Sequence, residues 1–306
     1  MADFHFNLLG KGSITLSNPN IILLELTSNP QIMKSLTQIT GLLTGSAIAS
    51  TIIATSSVNP AFALTEAQVL ERLNGVPVFT ITDDKGNPLL GSLPNNDKKA
   101  AQPEQLLLFF LSPDDAQGML NRIKQGNPEI GQKARVIVRS MNDAYKVIKQ
   151  NEANKKVAFQ IVPSKASIDS ARTILTAQGK PPEQLPAVPV FFATGGKDKD
   201  QGLLTLEQEG KQYVPFFFEQ KDLQSLIERA QKQQPDLAKN TKVQVTSLFQ
   251  VLDSMIGKKD AKPAAESERF TFVPSRTAFE YVIKNQPQSA NAPKPAVPAA
   301  KPAPKK

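Results

Sequence analysis

Cysteine and tryptophan are absent from the 306 residues, and the only histidine is His5, close to the amino terminus. The absence of cysteine excludes disulfide bonds and cysteine nucleophiles, so core burial alone must stabilise the fold. Because His5 precedes all regular patterning, histidine is excluded as a general base, triad member or metal ligand of the folded part. We therefore expect a protein with no catalytic residues, no metal and no cofactor, and not an enzyme.

The remaining polar motifs have structural explanations. The aspartate pairs at 83–84 and 114–115 fit a solvated turn and the acidic first turn of a helix better than catalytic carboxylates. The Gly-Gly-Lys sequence at 195–197 lacks the spacing of a phosphate loop and fits a hairpin. Ser164 beside Lys165 fits a helix N-cap better than a serine–lysine nucleophile.

The net charge of +8 is unevenly distributed along the chain. Residues 1–63 contribute none of it and the tail 287–306 contributes four lysines, which leaves +4 for the folded part with both signs interspersed. This charge is typical of solubility rather than of nucleic-acid binding. The tail lysines allow weak contact with a membrane surface, although they are more widely spaced than membrane-binding clusters.

A repeated pattern is the strongest positive feature of the chain. VPVF occurs at 76–79 and again at 188–191, 112 residues later. LLLFFLSPDDAQGML aligns with YVPFFFEQKDLQSLI at an offset of 107, and FQIVPSK aligns with FTFVPSR at an offset of 111. Three blocks in the same order predict an internal duplication of a unit of about 110 residues.

Each unit has the pattern β-β-β-α-β-α-β-α, which predicts the α+β (mixed α/β) class. We place unit 1 at 64–178 and unit 2 at 179–286, and expect a pseudo-twofold saddle or butterfly. Thr65 followed by Gln68 predicts a capping box at the first helix. Proline within VPVF and VPFFF predicts strand starts or edge strands.

Both ends of the chain are expected to lie outside the folded part. We interpret residues 1–32 as a misannotated extension and 33–63 as a signal peptide, because Lys34 and an apolar stretch precede a cleavage motif at Ala61 and Ala63. A membrane anchor is the alternative, but the apolar stretch is shorter than the ~20 residues that span a bilayer. The segment 287–306 is Pro-, Ala- and Lys-rich, which predicts a disordered tail.

Two helices of the repeated pattern carry wide apolar faces. One begins at Ser140 in the first unit and the other at Ser247 in the second. Core packing is one interpretation, and a groove that binds unfolded or extended chains is the other. The candidate client-binding residues are Met141, Tyr145, Ile148, Leu248, Phe249, Leu252 and Met255.

Six segments carry a family resemblance, and in order along the chain they are VPVFTITDDKGNPLL, LLLFFLSPDDAQGMLNRIK, ARVIVRSMNDAYKV, VAFQIVPS, LPAVPVFFAT and YVPFFFEQKDLQSLI. Together they resemble the Tic 22-kilodalton subunit family of plastids and cyanobacteria. The resemblance implies a duplicated α+β saddle with hydrophobic pockets. It also implies a soluble chaperone-like protein of the intermembrane space or, in bacteria, of the periplasm, that escorts precursor or outer-membrane proteins between two membranes without ATP. For the location, the thylakoid lumen remains an open alternative to the periplasm. The implied partners are those precursors and the β-barrel assembly machinery.

Two other functions remain open at this level. A structural adaptor would dock on the β-barrel assembly machinery without touching clients. A periplasmic enzyme would need carboxylates, or serine and lysine, brought together across the two units.

Overall fold

The computed structural model describes residues 64–92, 105–151, 153, 156–195, 202–208, 211–233, 241–256 and 267–285. The predictions for the extension 1–32, for the signal peptide 33–63 with Ala61 and Ala63, and for the tail 287–306 concern residues outside these ranges. The described helices are α1 (Glu66–Glu71), α2 (Pro113–Gly126), α3 (Pro128–Lys133), α4 (Met141–Gln150), α5 (Lys165–Ala177), α6 (Gln220–Gln233), α7 (Leu248–Ile256) and α8 (Arg276–Lys284).

Eleven strands lie in the same ranges, together with two 3-10 turns at Pro182–Gln184 and Ser267–Arg269. The strands are β1 (Pro77–Thr82), β2 (Gly91–Ser92), β3 (Gln105–Phe110), β4 (Arg135–Ser140), β5 (Val157–Val162), β6 (Pro189–Gly195), β7 (Gly202–Leu203), β8 (Leu206–Gln208), β9 (Lys211–Phe217), β10 (Lys242–Ser247) and β11 (Phe270–Val273). Helices and strands interleave and hairpins are present, so the α+β prediction is confirmed.

Side-chain caps fix the starts of several described helices. At α1 the Gln68 N–H donates to the Thr65 hydroxyl at 3.3 Å and the Thr65 N–H donates to the Gln68 side chain at 2.9 Å, so the capping box is confirmed. Serines cap α2, α4, α5 and α8 by accepting a hydrogen bond from the N–H three residues later, at 3.0 to 3.2 Å. These serines are Ser112, Ser140, Ser164 and Ser275.

The two sheets have the same strand order and the same register. The order is β5-β3-β1-β4 in the first sheet and β11-β9-β6-β10 in the second. Phe110 pairs with Val162 across the parallel strands β3 and β5, and the aligned Phe217 pairs with Val273 across β9 and β11. The repeated sequence blocks therefore form equivalent strands, while the unit boundaries and the saddle shape stay predictions.

Proline takes different places in the strands of the two blocks. Pro77 and Pro189 are the first residues of β1 and β6, as predicted. The prediction is wrong for Pro215, which lies inside β9 between β6 and β11 in the second sheet. On one side β9 pairs with β8 up to Tyr213 and with β6 at Phe217, so Pro215 lies where the strand changes partner on that side.

The inner faces of both sheets share one core with α1, α4 and α7. Val78 of β1, Phe109 of β3, Val190 of β6 and Phe216 of β9 all belong to this core. Alternate residues of the same strands point the opposite way, because successive side chains of a strand face opposite sides. Each sheet therefore has an outer face that needs a second apolar layer.

The outer layers are built by exchange of one helix between the halves. α5 follows the first sheet in sequence but packs on β6 and β10 of the second, where its Ala171 meets Phe191. α8 follows the second sheet but packs on β1 of the first, where Tyr281 contacts Phe79 edge to face at 5.1 Å between ring centroids. α2 and α6 complete the outer layers of their own sheets.

Candidate functional site

α4 and α7 begin in the same way against the two sheets. The Met141 N–H donates to the Val76 carbonyl at 2.7 Å, and the Leu248 N–H donates to the Val188 carbonyl at 2.9 Å. Each helix directly follows an edge strand, β4 or β10. The two predicted apolar helices are therefore held in equivalent places on the shared inner core.

Four of the seven candidate client-binding residues are core residues. Met141 is 1 % exposed, Leu248 and Met255 are 0 % exposed, and Leu252 is 5 % exposed. All four belong to the cluster that joins both sheets. Their side chains pack inside the protein and offer no surface to a client in this conformation.

The other three candidates reach the surface to different degrees. Tyr145 and Ile148 lie one turn apart on α4 and are half-buried, and Ile148 also packs against the shared core. Phe249 on α7 is 42 % exposed. We call Tyr145 and Ile148 together the α4 face.

α7 is covered by the 3-10 turn Ser267–Arg269 and by α1. This helix packs against α7, and the Leu64 N–H donates to the Met255 carbonyl at 3.0 Å. Val69 and Leu73, from α1 and the turn that follows it, are both fully buried in the shared core. The segment that precedes β6 forms only the 3-10 turn Pro182–Gln184, which packs on α5.

Charged side chains surround Tyr145 at the edge of the α4 face. Its hydroxyl lies 3.5 Å from the Glu66 carboxylate of α1, and the Lys149 ammonium lies 5.8 Å from the centre of its ring. Burial raises the pKa of Tyr145, with smaller increases from Glu66 and Asp253 and an opposing effect of Lys149. The phenol is therefore neutral at physiological pH and combines an apolar ring with a polar tip.

A buried carboxyl that sequence reasoning missed lies where α5 crosses to the second sheet. Glu219 is 8 % exposed and accepts a hydrogen bond from the Ser164 hydroxyl, while the Ser167 hydroxyl donates to the Phe218 carbonyl at 2.9 Å. Burial raises the pKa of Glu219, although the Ser164 hydrogen bond opposes the increase. The repeat alignment held a signal, because it places Glu219 at the position of the cap Ser112.

The other polar motifs have structural roles. The Asp83 carboxylate accepts hydrogen bonds from the Lys85 and Asn87 backbone N–H groups at 2.9 and 2.8 Å, in a turn completed by Gly86 at a φ of +86°. Lys165 forms an ion pair with Asp169 on the exposed side of α5. The end of the Gly-Gly-Lys sequence, at 196–197, is outside the described residues.

Comparison with known proteins identifies the family. The sequence model of the Tic22-like family matches residues 26–279. The chain belongs to the Tic22-like family. A curated relative with this name, the chloroplastic protein TIC 22-like of Arabidopsis thaliana, is 27 % identical over 165 residues. That match covers 54 % of this chain and 47 % of the relative, so the chain spans about half the length of the curated relative it matches.

Two solved Tic22 structures share the fold of this family member. Tic22 of Anabaena, described with protein transport, matches with a TM-score of 0.60 and 24 % identity over 76 % of this chain and 100 % of its own. Tic22 of Plasmodium falciparum matches with a TM-score of 0.54 and 26 % identity over 71 % of this chain and 96 % of its own.

Two further observations concern the described part of this Tic22-like chain. None of its described helices has the length and apolar character needed to cross a membrane. Across the same residues, no group of three or more His, Cys, Asp and Glu side chains is placed to hold a metal ion.

Proposed function

We propose that this Tic22-like protein acts in protein transport by escorting precursor or outer-membrane proteins between two membranes. It would bind unfolded segments reversibly and without ATP. The observation that carries the proposal is the α4 face, where Tyr145 and Ile148 remain half-buried beside a core in which the aligned residues are fully packed. Aromatic and aliphatic side chains on one face of a helix offer apolar contacts to a bound segment.

The proposed place of action is the periplasm, with the thylakoid lumen as the second compartment. The interpretation of residues 33–63 as a signal peptide and the absence of cysteine support an exported protein. The description of the Anabaena relative with protein transport supports a transport role. We propose no catalytic step, because apolar contacts suffice for reversible binding.

The test is suppression of aggregation of a urea-denatured outer-membrane barrel protein, followed by light scattering after dilution. We expect the protein starting at Leu64 to suppress scattering, and Tyr145→Ser or Ile148→Ser to weaken the suppression several-fold. The buried residues Leu248 and Met141 are unsuitable targets, because a substitution there disrupts the core. Unchanged scattering at several-fold molar excess of the wild-type protein would contradict the escort function.

A structural adaptor that docks on the β-barrel assembly machinery is the second candidate. The observation that favours it is the small amount of exposed apolar surface, since Phe249 and Ile283 are the exposed large apolar side chains among the described residues. An adaptor would bind one fixed partner at a saturable stoichiometry and leave the aggregation of clients unchanged. Pull-down of assembly-machinery subunits together with the scattering measurement separates the two functions.

A further inference from the structure

We propose that the first turn of α5 is part of a pH-sensitive switch, which holds α5 on the second half more tightly when Glu219 is protonated than when it is ionised. We call the meeting of Ser164 and Ser167 with Phe218 and Glu219 the α5 contact. The inference does not depend on the proposed function, because it concerns a contact inside the fold. It rests on the surroundings of one buried carboxyl and on the aligned contact of α8, which has no ionisable side chain in that place.

The α5 contact joins elements from the two halves. Only residues 163 and 164 separate β5 from α5. The Ser164 hydroxyl accepts a hydrogen bond from the Ser167 N–H at 3.0 Å and donates one to the Glu219 carboxyl, which lies between β9 and α6. The Ser167 hydroxyl donates to the Phe218 carbonyl at 2.9 Å. The first turn of α5 is therefore bound by two side-chain hydrogen bonds to the chain that leaves β9.

The surroundings of Glu219 suit a neutral carboxyl better than a carboxylate. Its side chain is 8 % exposed, and the Ser164 hydroxyl is the one hydrogen-bond donor to its carboxyl among the described residues. A buried carboxylate needs several donors to replace the water that it loses, so burial beside a single hydroxyl disfavours the charged form. The pKa of Glu219 is accordingly raised, and burial is the main cause.

The charged groups around this carboxyl do not offset the cost of burial. Lys221 of α6 favours the charged form, whereas Asp222 of α6 and Asp115 of α2 disfavour it. Lys165 and Arg276 begin α5 and α8, but each of them pairs with a carboxylate of its own helix on the exposed side. One nearby cation is thus set against two nearby anions.

The start of α8 repeats the start of α5 without the buried carboxyl. Ser275 caps α8 by accepting a hydrogen bond from the Ala278 N–H at 3.1 Å, as the aligned serine caps α5. The repeat alignment places Ser112 where the second half has Glu219, and it places Ala278 where α5 has Ser167. The two halves therefore provide a matched pair of crossing helices, of which only α5 meets a buried ionisable group.

The direction of the switch follows from the protonation of Glu219 in the closed and open contact. Below the ordinary pKa of 4.5 the carboxyl is neutral in both states, so the closed contact is at its most stable. As the pH rises through the higher pKa of the closed contact, ionisation favours the open state, in which the carboxylate reaches water. Opening of α5 also separates Ala171 from Phe191 on the outer face of the second sheet.

Single cysteines test the switch in a chain that has no cysteine of its own. Ala171→Cys places a thiol on the buried side of α5, and Val282→Cys places one at the aligned position of α8. Each is made in the full chain with Glu219 and with Glu219→Gln, and the rate of thiol labelling by a dipyridyl disulfide is measured at about pH 5 and about pH 8. The ratio of the two rates at one pH cancels the titration of the thiol itself.

For the thiol at position 171, we expect the rate with Glu219 divided by the rate with Gln to rise at least about threefold between these two pH values. For the thiol at position 282, this ratio should stay constant. An equal rise at both positions would overturn the switch, because Glu219 would then act only on unfolding of the whole chain. A constant or falling ratio at position 171 would also overturn it, since ionisation would then leave the α5 contact unchanged or stabilise it.

Hydrogen exchange of the cysteine-free chain gives a second readout that does not depend on a thiol under α5. The reporters are the backbone N–H groups of Ser167 and Ile168, which donate to Ser164 in the first turn of α5. They should exchange faster in the wild type than in Glu219→Gln at about pH 8, and at similar rates at about pH 5. The equivalent N–H groups at the start of α8 are the control, and the same difference there, or none in α5, would contradict the switch.

Discussion

The two halves of the molecule agree in their sheets and outer layers and differ in their inner helices. Each sheet has the same strand order, and each receives one outer helix from the other half. On the inner side, α7 is covered by α1, whereas the aligned surface of α4 keeps Tyr145 and Ile148 half-buried. The comparison teaches that the repeated blocks fix the strand order, while the elements packed on the two inner helices differ between the halves.

The largest expected effect comes from removing α8, because it covers the first sheet. A chain ending at Pro274 loses the contact of Tyr281 with Phe79 and the burial of Ala278 and Val282. We expect a loss of roughly 3–5 kcal/mol in the free energy of unfolding. Hydrogen exchange should show that β1 and β4 lose more protection than β6 and β10.

The control for that truncation is a chain ending at Gln286, which keeps α8. Its exchange pattern should match that of the full chain. If β6 and β10 were deprotected more than β1 in the shorter chain, the exchange of helices between the halves would be contradicted.

Alanine substitutions in α4 and α7 should distinguish aligned positions that are equally buried from aligned positions that are not. Met141→Ala and Leu248→Ala should each cost about 2–5 kcal/mol, because both side chains are fully buried. Met255→Ala should fall in the same range, whereas Ile148→Ala should cost about 1–2 kcal/mol, because its side chain is half-buried. Denaturant titration measures all four, and equal losses at 148 and 255 would show that the two helices are covered alike.

The pair Asn142 and Phe249 gives a smaller contrast at aligned positions. Asn142 is 5 % exposed and its amide donates to the Asn74 side chain at 2.7 Å. We expect Asn142→Ala to cost about 1 kcal/mol, and Phe249→Ala, at a 42 % exposed side chain, to cost less than about 0.5 kcal/mol. Thermal unfolding of both variants compares them, and a larger loss at Phe249 would contradict its surface position.

The smallest expected effect is a pH-dependent gain in stability when Glu219 is replaced by Gln. Burial raises the pKa of this carboxyl above its ordinary value of 4.5, so its contribution to stability is complete below that pH and is lost as the pH rises through the folded-state pKa. Glu219→Gln keeps an acceptor for the Ser164 hydroxyl and removes the charge. We therefore expect the variant to exceed the wild type in melting temperature at about pH 8 and to lose this advantage at about pH 4.

Asp169→Asn is a suitable control for that titration, because Asp169 is an exposed carboxylate on the crossing helix. Its ion pairs with Lys165 and Arg172 are at the surface, so its contribution to stability is small. If Glu219→Gln were less stable than the wild type at about pH 8, the prediction would be contradicted. The charged carboxylate would then stabilise the place where α5 crosses to the second sheet.

The sequence predicted the helices and strands better than it predicted which of them pack against each other. The Thr65 capping box, the serine caps and the two repeated strand blocks are local signals, and each appears in the structure. α3 was missed although Asn127 caps it and Pro128 opens it, because the segment is only six residues long. Local patterns carry no information about which sheet α5 and α8 join, since both outer faces are apolar.

The candidate surface was predicted only in part for a related reason. An apolar helix face has the same sequence pattern whether it is covered or exposed. The seven candidate positions include core residues such as Leu248 beside half-buried residues such as Ile148, and the difference depends on elements that lie far from these helices in the chain, such as α1. Comparison of aligned positions between the repeats distinguishes them, but only when their burial is known.

The exchange of α5 and α8 determines the order in which the two sheets are completed during synthesis. Synthesis runs from the amino terminus, so the strands of the first sheet, complete at Val162, are made long before α8 ends at Lys284. Until then the outer face of that sheet lacks its last apolar layer, and the early half stays unfinished while the later half is being made. The first sheet, although made first, is therefore the one that completes its outer face last.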